Sequence, residues 1–307
     1  MQRPDILQGK TWGMPGATLS ASGSGEAVPE RTKSFLLVHG AWHCGAHWTH
    51  VSAGLAARGH RVLAVDLPGA GLNATYPDSF INGDQAALAT EPSPLAGLTM
   101  AHYRDAVVAQ VRALATHGKV TLVSHSMGGM TATAVAEAVP ELIARLVYVT
   151  ALVPVRFGNV VAYADLPEFA SAQTSTLFYG NPAAIGAIRI NPRSPDAAYR
   201  ERARQTFYND LSAADFPAFA ALLGPDIPAQ VALGDARGTP SRWGRVPRTF
   251  VRCLQDRSQP LAGQDLLIAD ADAATPGNRF DVKTLDTGHS PFATRPAELV
   301  TLLDALE

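Results

Sequence analysis

The sequence predicts an α/β fold built on a mainly parallel sheet flanked by helices, with a helical cap inserted after the strand at 143–149. Three observations predict it. From residue 34 onward, short apolar runs alternate with amphipathic segments, the pattern of strands joined by crossover helices. The first run, "SFLLVHG", is continuously apolar, as a strand covered on both faces must be. The side chains suited to nucleophilic or acid–base chemistry also fall at the carboxyl ends of such runs, where parallel sheets collect ligands.

Taken in order, "SFLLVHG" (34–40) is the first strand, and "HWTHVSAGLAARGH" (47–60) is a helix closed by Gly59. "RVLAVDLPG" (61–69) is a second strand running into a turn. Tyr103, Val107, Val111 and Leu114 recur at three- and four-residue steps, so 99–117 is an amphipathic helix that stops near Gly118. A strand at 119–123, a helix over 127–139 and the strand "IARLVYV" (143–149) follow. The chain ends with "RTFVRCL" (248–254), a helix from about residue 260, "RFDVKTL" (279–285) and a helix over 296–306.

Two segments break the alternation. Residues 73–98 read as a long irregular loop. Residues 155–245 are helical in pattern but rich in proline and aromatics, among them Phe157, Phe169, Phe178, Phe207 and Phe216. Long insertions in a compact domain are usually lids or disordered, and this many large apolar side chains argues for a lid. The expected organisation is an N-terminal arm (1–33), a core (34–154 and 246–307) and a cap (155–245). Phe157 and Phe207 are expected along the pocket beneath the cap, although its phenylalanines could equally form a small core of their own.

Of the 307 residues, 47% are apolar and 17% charged, enough to bury a sizeable core, and the net charge of −2 leaves no electrostatic footprint for nucleic acid or an anionic membrane. The arginines thicken between Arg189 and Arg257, but interspersed acids mark that stretch as a solvated surface. Cys44 and Cys253 are the only cysteines, so there is no disulfide framework. A single bridge is possible, but free thiols are the better reading. The run "LVYVTALVPV" (146–155) is too short to cross a bilayer, and the first residues lack the apolar centre of a signal peptide. A cytoplasmic monomer or homodimer acting on a small molecule, without nucleic acid or membrane, is expected.

The chemistry centres on "VTLVSHSMGGM" (120–130), an apolar run, two serines and a pair of glycines. A serine hydroxyl needs a base and exposure on a sharp strand-to-helix turn. Small residues must flank that turn at two before and two after the nucleophile. Ser126 meets the demand with Ser124 and Gly128, whereas Ser124 would require Leu122 at a crowded position. The plainer reading is a simple turn leading into a helix.

"VSHSMGG", with "FLLVHGAWH" upstream and "DTGHSPF" near the end, resembles the α/β-hydrolase superfamily. The closer likeness is to its small esterase branch, which includes plant methyl esterases, hydroxynitrile lyases and bacterial carboxylesterases. The resemblance covers about residues 34–306 and implies an α/β-hydrolase fold. The order of the fold is nucleophile, acid, histidine, and His289 is the only histidine after Ser126. Asp256, two residues beyond "RTFVRCL", is the expected acid; Asp265, Asp270 and Asp272 lie on or near a helix, and Asp286 reads as a turn cap. Two backbone N–H groups should hold the developing oxyanion. One belongs to Met127; the resemblance implies Ala41 for the other, with Trp42 as the alternative donor. Trp42 also walls the pocket, with His125, which packs inside the turn, and Phe292 of "GHSPF".

His43, His47 and His50 have the spacing of a helical ligand pair, but the glutamate of the H-E-x-x-H pattern is absent. No metal or other cofactor is expected. The sequence therefore points to an ester hydrolase working through an acyl-enzyme. The same triad could serve a lyase, a cofactor-free oxygenase or a small-molecule receptor. Against the lyase, Ser290 stands where the resembled lyases carry lysine. Against aspartate-dependent dehalogenases and epoxide hydrolases stands Ser126 itself.

Overall fold

The computed structural model describes residues 32–307, so the expected N-terminal arm lies almost wholly outside the described residues. In chain order the elements begin with β1 (Ser34–Val38), α1 (Thr49–Ala57) and β2 (Arg61–Val65). Next come α2 (Asp78–Asn82), α3 (Gln85–Leu88), α4 (Met100–Ala115), β3 (Val120–His125), α5 (Gly128–Ala138) and β4 (Ile143–Val149). Between β4 and the next strand of the main sheet lie α6 (Val160–Ala164), α7 (Pro182–Ile185), β5 (Ala187–Arg189), α8 (Ala197–Phe207), α9 (Phe216–Ala220), β6 (Asp226–Pro228) and α10 (Ala229–Ala232). The chain closes with β7 (Arg248–Cys253), α11 (Leu261–Ala274), β8 (Asp281–Leu285), α12 (Pro291–Thr294) and α13 (Pro296–Asp304).

Six strands form one sheet in the order β2-β1-β3-β4-β7-β8, and every pairing is parallel. Leu36 at the middle of β1 faces Leu63 of β2 on one side and Leu122 of β3 on the other. The chain thus leaves β1 toward one edge and returns on its other side. Such a reversal opens a crevice above the carboxyl ends of the two strands involved, here β1 and β3. Every residue of β1 and β3 is buried, as their unbroken apolar runs require, and each fully buried Leu or Val contributes roughly 1.5–3 kcal/mol. The edge strand β8 is exposed along most of its length and carries the Lys283–Asp281 pair, charges that discourage pairing with another chain.

The sequence missed two features. Residues 73–98 hold the short helices α2 and α3 rather than an irregular loop; four or five residues are too few to show a helical period, although Asp84 caps α3 by accepting from the Ala86 and Ala87 N–H groups. Within the insertion, β5 and β6 pair antiparallel. They are pinned by a bidentate Arg189–Asp226 pair at 2.6 and 2.7 Å, while Arg189 Nη1 donates to the Glu91 carbonyl at 2.8 Å. The two irregular segments are therefore fastened to each other. Cys44 and Cys253 are both buried free thiols. Among the described residues no helix is long and apolar enough to cross a membrane.

Candidate active site

The turn after β3 is strained. Ser126 has φ +53°, a left-handed conformation that costs a non-glycine residue on the order of 1–3 kcal/mol and persists only where its surroundings fix it. The Ser126 carbonyl accepts from the Gly129 and Leu152 N–H groups at 3.1 and 3.0 Å. The glycines are needed for close approach: a Cβ on Gly129 would lie 2.1 Å from the Leu152 carbonyl oxygen, and one on Gly128 2.5 Å from that of His39. Ser124 is fully buried, and its hydroxyl donates to the Val147 carbonyl at 3.2 Å. That bond shows how serine is accommodated where glycine is usual.

The loops after β8 and β7 bring the other two residues to Ser126. The Ser126 hydroxyl donates to His289 Nε2 at 3.0 Å, and His289 Nδ1–H donates to Asp256 Oδ2 at 2.7 Å. Asp256 Oδ1 accepts from the Ser258 and Gln259 N–H groups, each at 2.7 Å. A fourth donor was not foreseen from sequence. The Thr150 hydroxyl, at the end of β4, donates to Oδ2 at 2.6 Å, and Thr150 has φ +37°. The absence of an acid after β4 was legible; that its place would hold a donor to the acid was not. The other candidate acids go elsewhere: Asp286 accepts from Gln255 Nε2, Asp272 accepts the Phe280 N–H, and Asp265 pairs with Arg252 at the surface.

Ala41 and Met127 line the same cavity as Ser126. Among the described residues neither N–H has a protein acceptor. Met127 also sits at the N-cap of α5, where the helix end adds positive potential. The peptide after Ala41 is held in place: Trp42 has φ +61°, its carbonyl accepts the Gly224 N–H at 2.8 Å, and its indole N–H donates to Ile188 at 3.1 Å.

Histidines surround this loop, each in one neutral tautomer. His39 Nε2 accepts the Leu67 N–H and its Nδ1–H donates to the Gly40 carbonyl. His43 Nδ1–H donates to the Ala41 carbonyl at 2.7 Å, and Nε2 accepts the Tyr208 hydroxyl at 2.9 Å. His47 Nδ1 accepts the Cys44 N–H and its Nε2–H donates to Phe219. His125 Nε2–H donates to the His289 carbonyl at 2.8 Å. His43 and His47 are thus committed to hydrogen bonds, and His50 is exposed. Burial lowers the pKa of His39 and His47 to about 4 and holds His43 and His125 well below the ordinary histidine range. In the unfolded chain these rings titrate near 6.5, so the unfolded state binds more protons below that pH. Their contribution is complete above pH 6.5 and diminishes as pH falls below it, through about 4 for His39 and His47, at on the order of a kcal/mol per pH unit for each ring. The melting temperature should therefore drop steeply between pH 6.5 and 4.5; a flat profile there would contradict the buried neutral assignment.

Of the five side chains expected along a pocket, Trp42 lines the cavity beside Ser126, and the other four do not. His125 and Phe292 are buried beneath the turn, packed against each other edge to face at 4.9 Å. Phe207 is buried between Trp42 and His289, and Phe157 packs on Tyr163. The sequence could rank these residues by size and neighbourhood but not by the direction of each ring. The cavity measures about 400 Å³. Its walls come largely from the insertion, including Val160, Tyr163, Phe169 and Phe178, which only the three-dimensional path of that segment could reveal.

Three consecutive insertion residues also grip the three loops of the site. Tyr208 donates to His43; Asn209 Nδ2 donates to the Gln255 carbonyl at 3.1 Å. Asp210 Oδ2 accepts from the Thr287 hydroxyl at 2.6 Å and the Gly288 N–H at 3.1 Å. Gly288 is needed because a Cβ there would lie 2.0 Å from Asn209 Oδ1. Tyr208→Phe leaves His43 Nε2 buried without a donor, which costs about 1–3 kcal/mol. A melting temperature lowered by several degrees is expected in calorimetry; an unchanged value would contradict the bond.

A family model described as "Alpha/beta hydrolase family" matches residues 35–302. Methylesterase 18 of Arabidopsis thaliana is 29% identical over 280 residues, which span 88% of this chain and 95% of that protein. Norfluorocurarine synthase 1 of Strychnos nux-vomica is 24% identical over 279 residues, 88% and 93% of the two chains. The crystal structure of a pyrethroid hydrolase from Sphingobium faniae JZ-2 matches with a TM-score of 0.68 over 89% of this chain and 96% of its own, at 24% identity, a likeness of fold.

Proposed function

The chain belongs to the alpha/beta hydrolase family, and on that premise we propose that it hydrolyses carboxylic esters of small to medium apolar or aromatic substrates through an acyl-enzyme on Ser126. The observation that carries this reading is the unbroken relay from the Ser126 hydroxyl to His289 at 3.0 Å and on to Asp256 at 2.7 Å. Ser126 Oγ attacks the ester carbonyl carbon as His289 Nε2 takes its proton, and Asp256 stabilises the imidazolium. The Ala41 and Met127 N–H groups bind the oxyanion of the tetrahedral intermediate. His289 then gives its proton to the departing alcohol, and a water molecule activated by the same histidine releases the acid.

The aromatic and aliphatic side chains of the cavity support an apolar substrate, and residues 155–245 act as its cap. Ser290 is buried beside His289, so this position brings no ammonium into the site, which favours hydrolysis over cyanohydrin cleavage. The net charge of −2 fits a small neutral substrate rather than nucleic acid, and the reading includes a cytoplasmic monomer or homodimer working without a cofactor. The test is turnover of p-nitrophenyl acetate, butyrate and octanoate by the wild-type protein. Saturable release of p-nitrophenol is expected; no release from any of the three would contradict the reading.

A further inference from the structure

One flank of the cavity is polar, apart from the exposed Asp165 and Ser175 that also line the cavity. Thr174, Ser258 and Gln259 line it together with Ser126. Gln259 is only 5% exposed, and its backbone is committed at both ends. The N–H donates to Asp256 at 2.7 Å, and the carbonyl accepts from Gln264 Nε2 at 2.8 Å. The carboxamide is not committed: Oε1 is buried with no hydrogen-bond partner, an arrangement that costs about 1–3 kcal/mol when nothing answers it. Beside it the Thr174 and Ser258 hydroxyls share one hydrogen bond at 2.8 Å. Only one of the two protons is used there, so the pair keeps a donor to spare.

We propose that Gln259, with Ser258 and Thr174, forms a subsite for a hydroxyl group that the ester substrate carries away from its scissile bond. A hydroxyl both donates and accepts, so it can bond the carboxamide by whichever end a half-turn presents to the cavity while also meeting the Thr174–Ser258 pair. The rest of the wall, including Leu152, Phe169 and Ile227, suits an apolar or aromatic body. The substrate class is thus narrowed from apolar esters in general to hydroxylated ones. This inference rests on the esterase reading for the word "ester" but not for the binding itself.

The experiment therefore measures binding first. The Ser126→Ala protein is titrated calorimetrically with methyl hydrocinnamate and with its meta- and para-hydroxy derivatives. At least one hydroxylated ligand should bind about tenfold more tightly than the parent, because a site built around a hydroxyl rejects the analogue lacking it. Adding Gln259→Leu should bring that preference below about twofold. Equal binding of all three ligands, or a preference that survives Gln259→Leu, overturns the subsite. If Gln259→Leu does not fold, Thr174→Val in the same background takes its place, with the same two outcomes. Hydrolysis of the three esters by the wild-type protein is read separately: binding preference without hydrolysis counts against the esterase reading and leaves the subsite standing.

Discussion

Ser126→Ala should lower kcat for ester hydrolysis by a factor on the order of 10⁴–10⁶ while leaving ligand affinity nearly unchanged. Alanine removes the one atom proposed to bond the acyl group and leaves every other residue of the cavity wall in place. The turn should survive: its strain is enforced by the backbone bonds from Gly129 and Leu152 to the Ser126 carbonyl, and alanine is no larger than serine. On the proposed mechanism the Ala41 and Met127 N–H groups and substrate positioning should keep the residual rate above that of water alone. Steady-state kinetics with a p-nitrophenyl ester, alongside calorimetric binding, checks both halves. A loss below tenfold would place the nucleophile elsewhere.

Asp256→Asn should lower kcat by a factor on the order of 10³–10⁴, with melting behaviour far less affected. The environment dictates how asparagine must sit. The two N–H groups of Ser258 and Gln259 at Oδ1 demand an oxygen there, so the new NH₂ faces His289 and Thr150. The Thr150 hydroxyl can rotate to accept. His289 can accept at Nδ1 only by moving its proton to Nε2, which then points a donor at Ser126 and cannot receive its proton. The variant should regain rate as pH rises, since ionising Ser126 no longer depends on the histidine. A variant within tenfold of wild type at neutral pH would mean that another group orients the imidazole.

Much of the site was legible in the sequence because its parts obey local rules. Ser126 stands out from Ser124 by the steric demands of a strained turn, and His289 by being the only later histidine. Asp256 follows from its place after a buried strand. The six strands of the main sheet were readable from apolar runs, although "SFLLVHG" and "RVLAVDLPG" extend past the residues that pair, which end at Val38 and Val65. What stayed hidden depends on contacts between distant segments. Thr150 gives no sign that its hydroxyl serves Asp256 beyond the neighbouring strand. Phe207 and Phe292 look like pocket residues, but Phe207 is buried between Trp42 and His289 and Phe292 packs against His125 beneath the turn. Tyr208, Asn209 and Asp210 carry no motif in the sequence, yet each reaches a different loop of the site.

The central claim is that Ser126 is the nucleophile, and it is tested most directly by covalent capture. The wild-type protein is treated with a p-nitrophenyl alkylphosphonate, digested and mapped by peptide mass spectrometry. One phosphonyl group per chain on Ser126, with parallel loss of esterase activity and no labelling of Ser126→Ala, is the predicted result. Labelling of Ser124 or another residue, or inactivation without a Ser126 adduct, would contradict it.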